Sequence, residues 1–191
     1  MNDEQVLCLV IDYLEECHIE YMVTGSLASN VHGLPRTTND ADVVIETDAA
    51  KLSMLILKLK DEFYISREAA EDALRRRSMF NAIHLETGFK IDIITCKLRS
   101  FSREEFKRRQ QVQLDSRPAW FASAEDVILS KLEWAKAGES ERQFNDALNV
   151  ARVQAARLDY DYLKEWAEAL DIAEELNRLT SELDRSDPPE K

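Results

Sequence analysis

An α+β fold is predicted for this 191-residue chain: a mixed sheet flanked by helices, with a helical bundle at the C-terminal end. Three observations predict it. Short apolar runs of strand length, such as Tyr21-Met22-Val23 and Ala41-Asp42-Val43-Val44-Ile45, alternate with stretches whose apolar residues recur at helical spacing. Two strand-like runs, 79–85 and 89–95, are joined by Glu86-Thr87-Gly88, which reads as a hairpin turn and makes part of the sheet antiparallel. After Ser123 only helical spacing remains.

The elements follow in order. Residues 3–17 place Val6, Leu9, Val10, Tyr13 and Leu14 on one helical face and lead through His18-Ile19-Glu20 into the strand at 21–23. Residues 26–32 have the composition of a short helix, Gly33-Leu34-Pro35 breaks it, and 41–45 is the second strand. Thr47-Asp48 caps an amphipathic helix over 51–60, 62–65 reads as a short edge strand, and Ser66 caps a helix over 66–77. A helix over 102–109 and a strand over 119–121 follow the hairpin. The later helices are expected at 124–136, 139–154, 160–170 and 172–183, with Trp134 and Trp166 packed in their core. The expected organisation is a first module over 1–122, a helical module over 123–185 with Ser123 capping its first helix, and a frayed, proline-bearing tail at 186–191.

Composition narrows the function. At 45% hydrophobic the chain can bury a core, yet no apolar run approaches bilayer length, and the N-terminus is acidic and amphipathic. A cytoplasmic protein without a membrane partner is expected. Cys8, Cys17 and Cys96 form no C-x-x-C pair, and His18, His32 and His84 stand at unrelated spacings, which argues for reduced thiols and against a zinc site. The net charge of -12 opposes broad binding to nucleic acid. Basic residues nevertheless gather in the middle third, from Arg75-Arg76-Arg77 to Lys107-Arg108-Arg109; this leaves a local anionic partner open beside the plainer reading of solvated helix faces.

The chemistry concentrates in the second strand. Residues two apart on a strand project to one face, so Asp40 and Asp42 lie side by side. Like charges that close repel unless a divalent cation lies between them, and two hard oxygen ligands plus substrate phosphates is a common way to hold magnesium. Lys90, a candidate nucleotide contact, and Asp92 share a face of another apolar strand. If the two strands are neighbours, three carboxylates converge and can hold two ions, Mg2+ or Mn2+, for an in-line nucleotidyl transfer from an NTP. Gly25 lets the backbone approach a phosphate, and Ser26, at a helix start, adds a hydroxyl donor. Arg36, with Thr38 in the same polar loop, either neutralises a triphosphate or is solvated.

Gly25-Ser26, the loop Arg36-x-Thr38-x-Asp40-x-Asp42 and the later Lys90-x-Asp92 resemble the signature of the DNA polymerase beta-like nucleotidyltransferase superfamily. Within it the chain is most similar to abortive-infection nucleotidyltransferase toxins and to a group of small bacterial proteins sharing stretches such as RRRSMFN, KLEW and SERQFNDAL. The resemblance spans about residues 5–170 and implies a nucleotidyltransferase-like sheet. It also implies Asp40 and Asp42 as metal ligands, Asp92 as the third carboxylate that activates the acceptor hydroxyl, and Ser26 as a phosphate contact. Lys131, and Arg142 with Asp146, look like the helical lysine and the arginine-to-aspartate motif that complete the toxins' site.

Plainer readings stand beside these. Lys131 is also an ordinary amphipathic-helix lysine, and Arg142 and Asp146, four apart, also have the spacing of a surface ion pair. The acceptor is left open among an RNA 3' end, a protein and a small molecule. A cognate toxin or antitoxin is a further expected partner. The alternative function is a non-catalytic nucleotide- or partner-binding module of the same fold.

Overall fold

The structure is a computed structural model and describes residues 1–115 and 117–186. Its first half runs α1 (Asp3–Glu16), β1 (Glu20–Thr24), α2 (Gly25–His32), β2 (Asp40–Glu46), α3 (Ala49–Leu59), β3 (Phe63–Ile65), α4 (Arg67–Arg76), β4 (Met79–His84) and β5 (Lys90–Thr95). There follow α5 (Ser100–Lys107), β6 (Gln110–Leu114), β7 (Arg117–Phe121), α6 (Ala124–Gly138), α7 (Glu141–Gln154), a 3-10 turn (Ala155–Arg157), α8 (Tyr160–Ala169) and α9 (Ala173–Ser186). The chain divides into two compact units: Met1–Thr24 with Thr37–Ala122, and Gly25–Arg36 with the chain from Ser123 onward.

The first unit is built on a seven-stranded sheet in the order β3-β4-β5-β2-β1-β7-β6. β2 pairs parallel with β5 and β1 parallel with β7, while the other neighbours are antiparallel, so the sheet is mixed. α1, α3 and α4 each start where a side chain satisfies free backbone N–H groups of the first turn. Asn2 and Gln5 form a capping box on α1, Asp48 accepts from Ala50 and Lys51 on α3, and Ser66 accepts from Ala69 on α4. α1, α3 and α4 pack on one another and on the sheet, and their apolar faces bury Leu7, Ile11, Leu14, Leu52, Leu55 and Leu59 completely or nearly so.

β2 shows why a strand with two aspartates folds here. Ala41, Val43 and Ile45 are fully buried, whereas Asp40, Asp42 and Val44 occupy the half-buried face. Only one face of β2 belongs to the core.

The second unit pairs α6 with α7, and α2, α8 and α9 pack around that pair. Ser123, Ser140 and Asp159 cap α6, α7 and α8. Gly33, at the end of α2, lies so close to α7 that an added Cβ would stand 2.9 Å from the Val150 backbone nitrogen. That approach explains a difference from the expected modules: the second unit starts at Ser123 in sequence, but it also takes Gly25–Arg36, because α2 packs on α6 and α7.

Other expectations differ in detail. β6 was not anticipated, since Gln110-Gln111-Val112-Gln113-Leu114 is polar and forms an edge on which only Val112 and Leu114 are even half-buried. Trp134, expected in the helical core, is 64% exposed, because the buried stripe of α6 runs through Ile128, Leu132 and Ala135 instead. The tail expected at 186–191 lies, beyond Ser186, outside the described residues, and α9 runs through Ser186. Cys8, Cys17 and Cys96 are free, and no helix among the described residues is long and apolar enough to cross a membrane.

Candidate functional site

In the first unit the register of the sheet assembles a polar row. Parallel pairing of β2 with β5 sets Asp42 opposite Asp92 and Asp40 opposite Lys90. Antiparallel pairing continues the Asp42 row to Asn81 of β4 on one side and to Thr24 of β1 on the other. Residues opposed in this way present their side chains to the same face.

The side chains of the row are bonded to one another. Lys90 Nζ lies 2.8 Å from Asp92 Oδ2 and 3.9 Å from Asp40 Oδ2. Asn81 Nδ2 donates to the other Asp92 oxygen, Oδ1. Thr38 Oγ1 donates to Asp40 Oδ1 at 2.8 Å, which holds the first carboxylate at the entry to β2. The hydrogen bond to Asp92, opposed by partial desolvation and helped by the fields of Asp92, Asp40 and Asp42, raises the Lys90 ammonium above the usual lysine range. Lys90 is therefore a firmly held cation within a group of acids.

The donors suit a divalent cation in part. Asp40 and Asp42 offer hard oxygens on the half-buried face of one strand, the ligand type that magnesium and manganese take. Asp92 is only 10% exposed in its side chain, and each of its oxygens already accepts a hydrogen bond. Among the described residues no group of three His, Cys, Asp or Glu side chains is disposed to hold one metal ion. Where the sequence suggested three converging carboxylates, the structure interposes an ammonium.

In the second unit Asp146 is the hub. Its carboxylate accepts from Arg36 Nε at 2.9 Å and Arg36 Nη2 at 2.7 Å, a two-point contact, and lies 3.0 Å from Lys131 Nζ. Arg36 Nη2 also donates to Ser26 Oγ at 2.9 Å, and Asn30 brackets the Arg36 backbone with bonds to its N–H and its carbonyl. Burial works to raise the Asp146 carboxyl, but the hydrogen bonds and charges of Arg36 and Lys131 outweigh it and hold the group below the usual carboxylate range. Gly25, which opens α2 with φ +63°, adopts a left-handed conformation that its missing Cβ permits.

Sequence reasoning named Ser26, Arg36, Lys131 and Asp146 separately, and these meet. Arg142 does not join them. It lies exposed in the first turn of α7, and the arginine that clamps Asp146 comes from 110 residues earlier in the chain. Asn30 and Asn81 were missed. The signal for Asn81 was a lone polar residue in Phe80-Asn81-Ala82 that only strand pairing can align with Asp92. A separate cavity of about 650 Å³, lined by Cys8, Asp12, Glu15, Arg117 and Trp120 among others, contains none of the polar row.

No family model matches the chain, and no curated protein matches its sequence. Solved structures do. An antigenic nucleotidyltransferase-like protein from Paracoccidioides brasiliensis is similar over 95% of this chain and 92% of its own, with 14% identity and a TM-score of 0.62. ANT(2'')-Ia in complex with adenylyl-2''-tobramycin is similar over 88% of this chain and 96% of its own, with 11% identity and a TM-score of 0.60. The lincosamide antibiotic adenylyltransferase LnuA, lincomycin-bound, is similar over 80% of this chain and 98% of its own, with 19% identity and a TM-score of 0.55. The fold is therefore an α+β nucleotidyltransferase-type fold.

Proposed function

We propose that the chain is a metal-dependent nucleotidyltransferase that moves a nucleoside monophosphate from an NTP to a hydroxyl group. The observation that supports this reading best is the polar row: Asp40 and Asp42 on one strand, with Asp92 directly opposite Asp42, in a fold shared with adenylyltransferases. In the reaction the acceptor oxygen bonds to the α-phosphorus, the bond from that phosphorus to the bridging oxygen breaks, and pyrophosphate leaves with the electron pair. Asp92 takes the hydroxyl proton, a general-base role. Asp40 and Asp42 would hold the divalent cation, Mg2+ or Mn2+, with Thr38 orienting Asp40. When bound, the cation supplies charge neutralisation of the phosphate oxygens and a fixed path for displacement. Arg36 and Lys131, two cations against one carboxylate, leave a positive excess suited to phosphate, with Ser26 as a hydroxyl donor.

A hydroxyl-bearing small molecule is the acceptor class we favour. Two structures of similar fold are described with an antibiotic or its adenylylated form. The basic residues that would have to draw in RNA are engaged locally: Arg75 and Arg76 with Asp72, Arg77 with Glu46, Lys107 with Glu104, and Arg109 with Glu20. A second reading, nucleotide binding without turnover, is favoured by one observation, that both oxygens of Asp92 are already accepting hydrogen bonds.

The test incubates the protein with Mg2+ or Mn2+, each labelled NTP in turn, and a metabolite extract, total RNA or soluble protein. Label in a small molecule, lost with Asp40→Ala, supports the favoured acceptor. Label in RNA or protein overturns that acceptor and turns the reading towards a toxin–antitoxin or defence role with a cognate partner. NTP binding without label in any fraction supports the non-catalytic module.

A further inference from the structure

We infer that Lys90 is a positioning residue that acts as the resident counter-ion of the acid row and competes with the divalent cation for Asp40. This rests on the reading of Asp40 and Asp42 as the pair that holds the cation.

The geometry carries the inference. Lys90 lies opposite Asp40 and two residues before Asp92 on the same strand, so its stem projects on the face that bears all three acids. Its ammonium makes a hydrogen bond to Asp92 and a longer, 3.9 Å contact to Asp40, and among the described residues it has no partner outside the row. The two contacts are unequal in a useful way. Asp92 is nearly buried and is fixed from the far side by Asn81, whereas the side chain of Asp40 is 42% exposed and that of Lys90 is 39% exposed. The stronger contact anchors the ammonium to the general base, and the weaker one is the one a cation can displace.

Charge explains why such a residue is useful. Three carboxylates on adjacent positions of two strands repel one another, and a single ammonium relieves that repulsion when no metal is present. A divalent ion arriving at Asp40 and Asp42 meets the same ammonium as a like charge a few ångströms away. Affinity for the metal alone is thereby weakened, and firm binding depends on the metal arriving with the phosphates of an NTP. Lys90 would then stay on Asp92 and keep that carboxylate oriented, without contacting the nucleotide.

The experiment titrates Mn2+ without nucleotide and follows the free ion by its electron paramagnetic resonance signal. The variants are Lys90→Met, Lys90→Gln, Lys90→Arg, Asp40→Asn and Asp42→Asn, each checked by circular dichroism. Removing one positive charge at this partly exposed distance should tighten Mn2+ binding about tenfold in Lys90→Met, and in Lys90→Gln if the first variant does not fold. Lys90→Arg, which keeps the charge, should bind within about twofold of wild type, a rescue that a purely packing role would not produce. Unchanged or weaker Mn2+ binding in a folded Lys90→Met or Lys90→Gln overturns the inference, and a loss confined to NTP affinity would make Lys90 a phosphate ligand instead. The two failures are separable. If Asp40→Asn and Asp42→Asn bind Mn2+ like wild type, the reading of the acid pair falls. If they weaken binding while neutralising Lys90 does not tighten it, only the role of Lys90 falls.

Discussion

The two polar clusters use the same elementary contact, a lysine on an aspartate, for opposite ends. In the sheet, Lys90 holds Asp92 at 2.8 Å, and Asp40 and Asp42 leave the group with more acids than cations. In the helical unit, Lys131 and Arg36 share Asp146, so the cations outnumber the acids. One cluster carries a surplus of negative charge and the other a surplus of positive charge. They differ in solvent as well. The Lys90 side chain is 39% exposed and can turn to water, whereas those of Lys131 and Asp146 are 5% and 7% exposed and cannot. The half-exposed Lys90 can give up its longer contact to Asp40, whereas the buried pair behaves as a fixed part of the fold.

That contrast breaks most readily at Asp146. Asp146→Ala leaves the buried Lys131 and the half-buried Arg36 without their shared carboxylate, and should cost about 3 kcal/mol in a denaturant titration. A loss below about 1 kcal/mol would mean that the helical cluster is as adaptable as the sheet cluster. Gly33→Ala probes the packing that brings α2 to α7. A Cβ there meets Val150 backbone at 2.9 Å, so the variant should lose about 2 kcal/mol through overpacking. Asp92→Asn should cost only about 1 kcal/mol, because the exposed Lys90 finds water and an amide oxygen still accepts from Asn81. The same variant should keep most of its NTP affinity and lose turnover, since a general base acts in the transition state more than in binding. Equal losses in both would make Asp92 chiefly a ligand.

Acid separates the clusters more gently. The folded Asp146 carboxyl lies below its unfolded value, so its contribution is fully present above the unfolded value, about 3.9, and is lost as pH falls through the folded one. Wild type and Asp146→Asn should therefore differ in unfolding midpoint at pH 7 and converge as the pH is lowered below about 4. A constant difference across that range would remove the carboxylate charge from the account.

Much of this was legible in the sequence, and the parts that were not have physical causes. The order of helices and strands followed from apolar spacing and from caps such as Ser66 and Ser123, whose side chains do accept the expected backbone bonds. β6 escaped because a polar edge strand has no buried face to announce it. The pairing of Asp42 with Asp92 was conditional on the two strands being neighbours, and the register shows that they are. Arg142 was named because, with Asp146, it resembles the toxins' arginine-to-aspartate motif, but a local motif cannot reveal a partner that arrives from α2's end of the chain, as Arg36 does. Lys90 was read as a nucleotide contact. Its position opposite Asp40 is a property of parallel register, which no single strand contains.

The claim that the acid pair of β2 holds the metal of a metal–nucleotide complex is tested most directly by calorimetry with Mn2+ and a non-hydrolysable NTP, comparing wild type with Asp42→Asn. A neutral amide is a poorer ligand for a hard cation, so the variant should bind the complex at least about tenfold more weakly while its circular dichroism stays that of wild type. Unchanged affinity in a folded Asp42→Asn would contradict the account and remove the acid pair from the site.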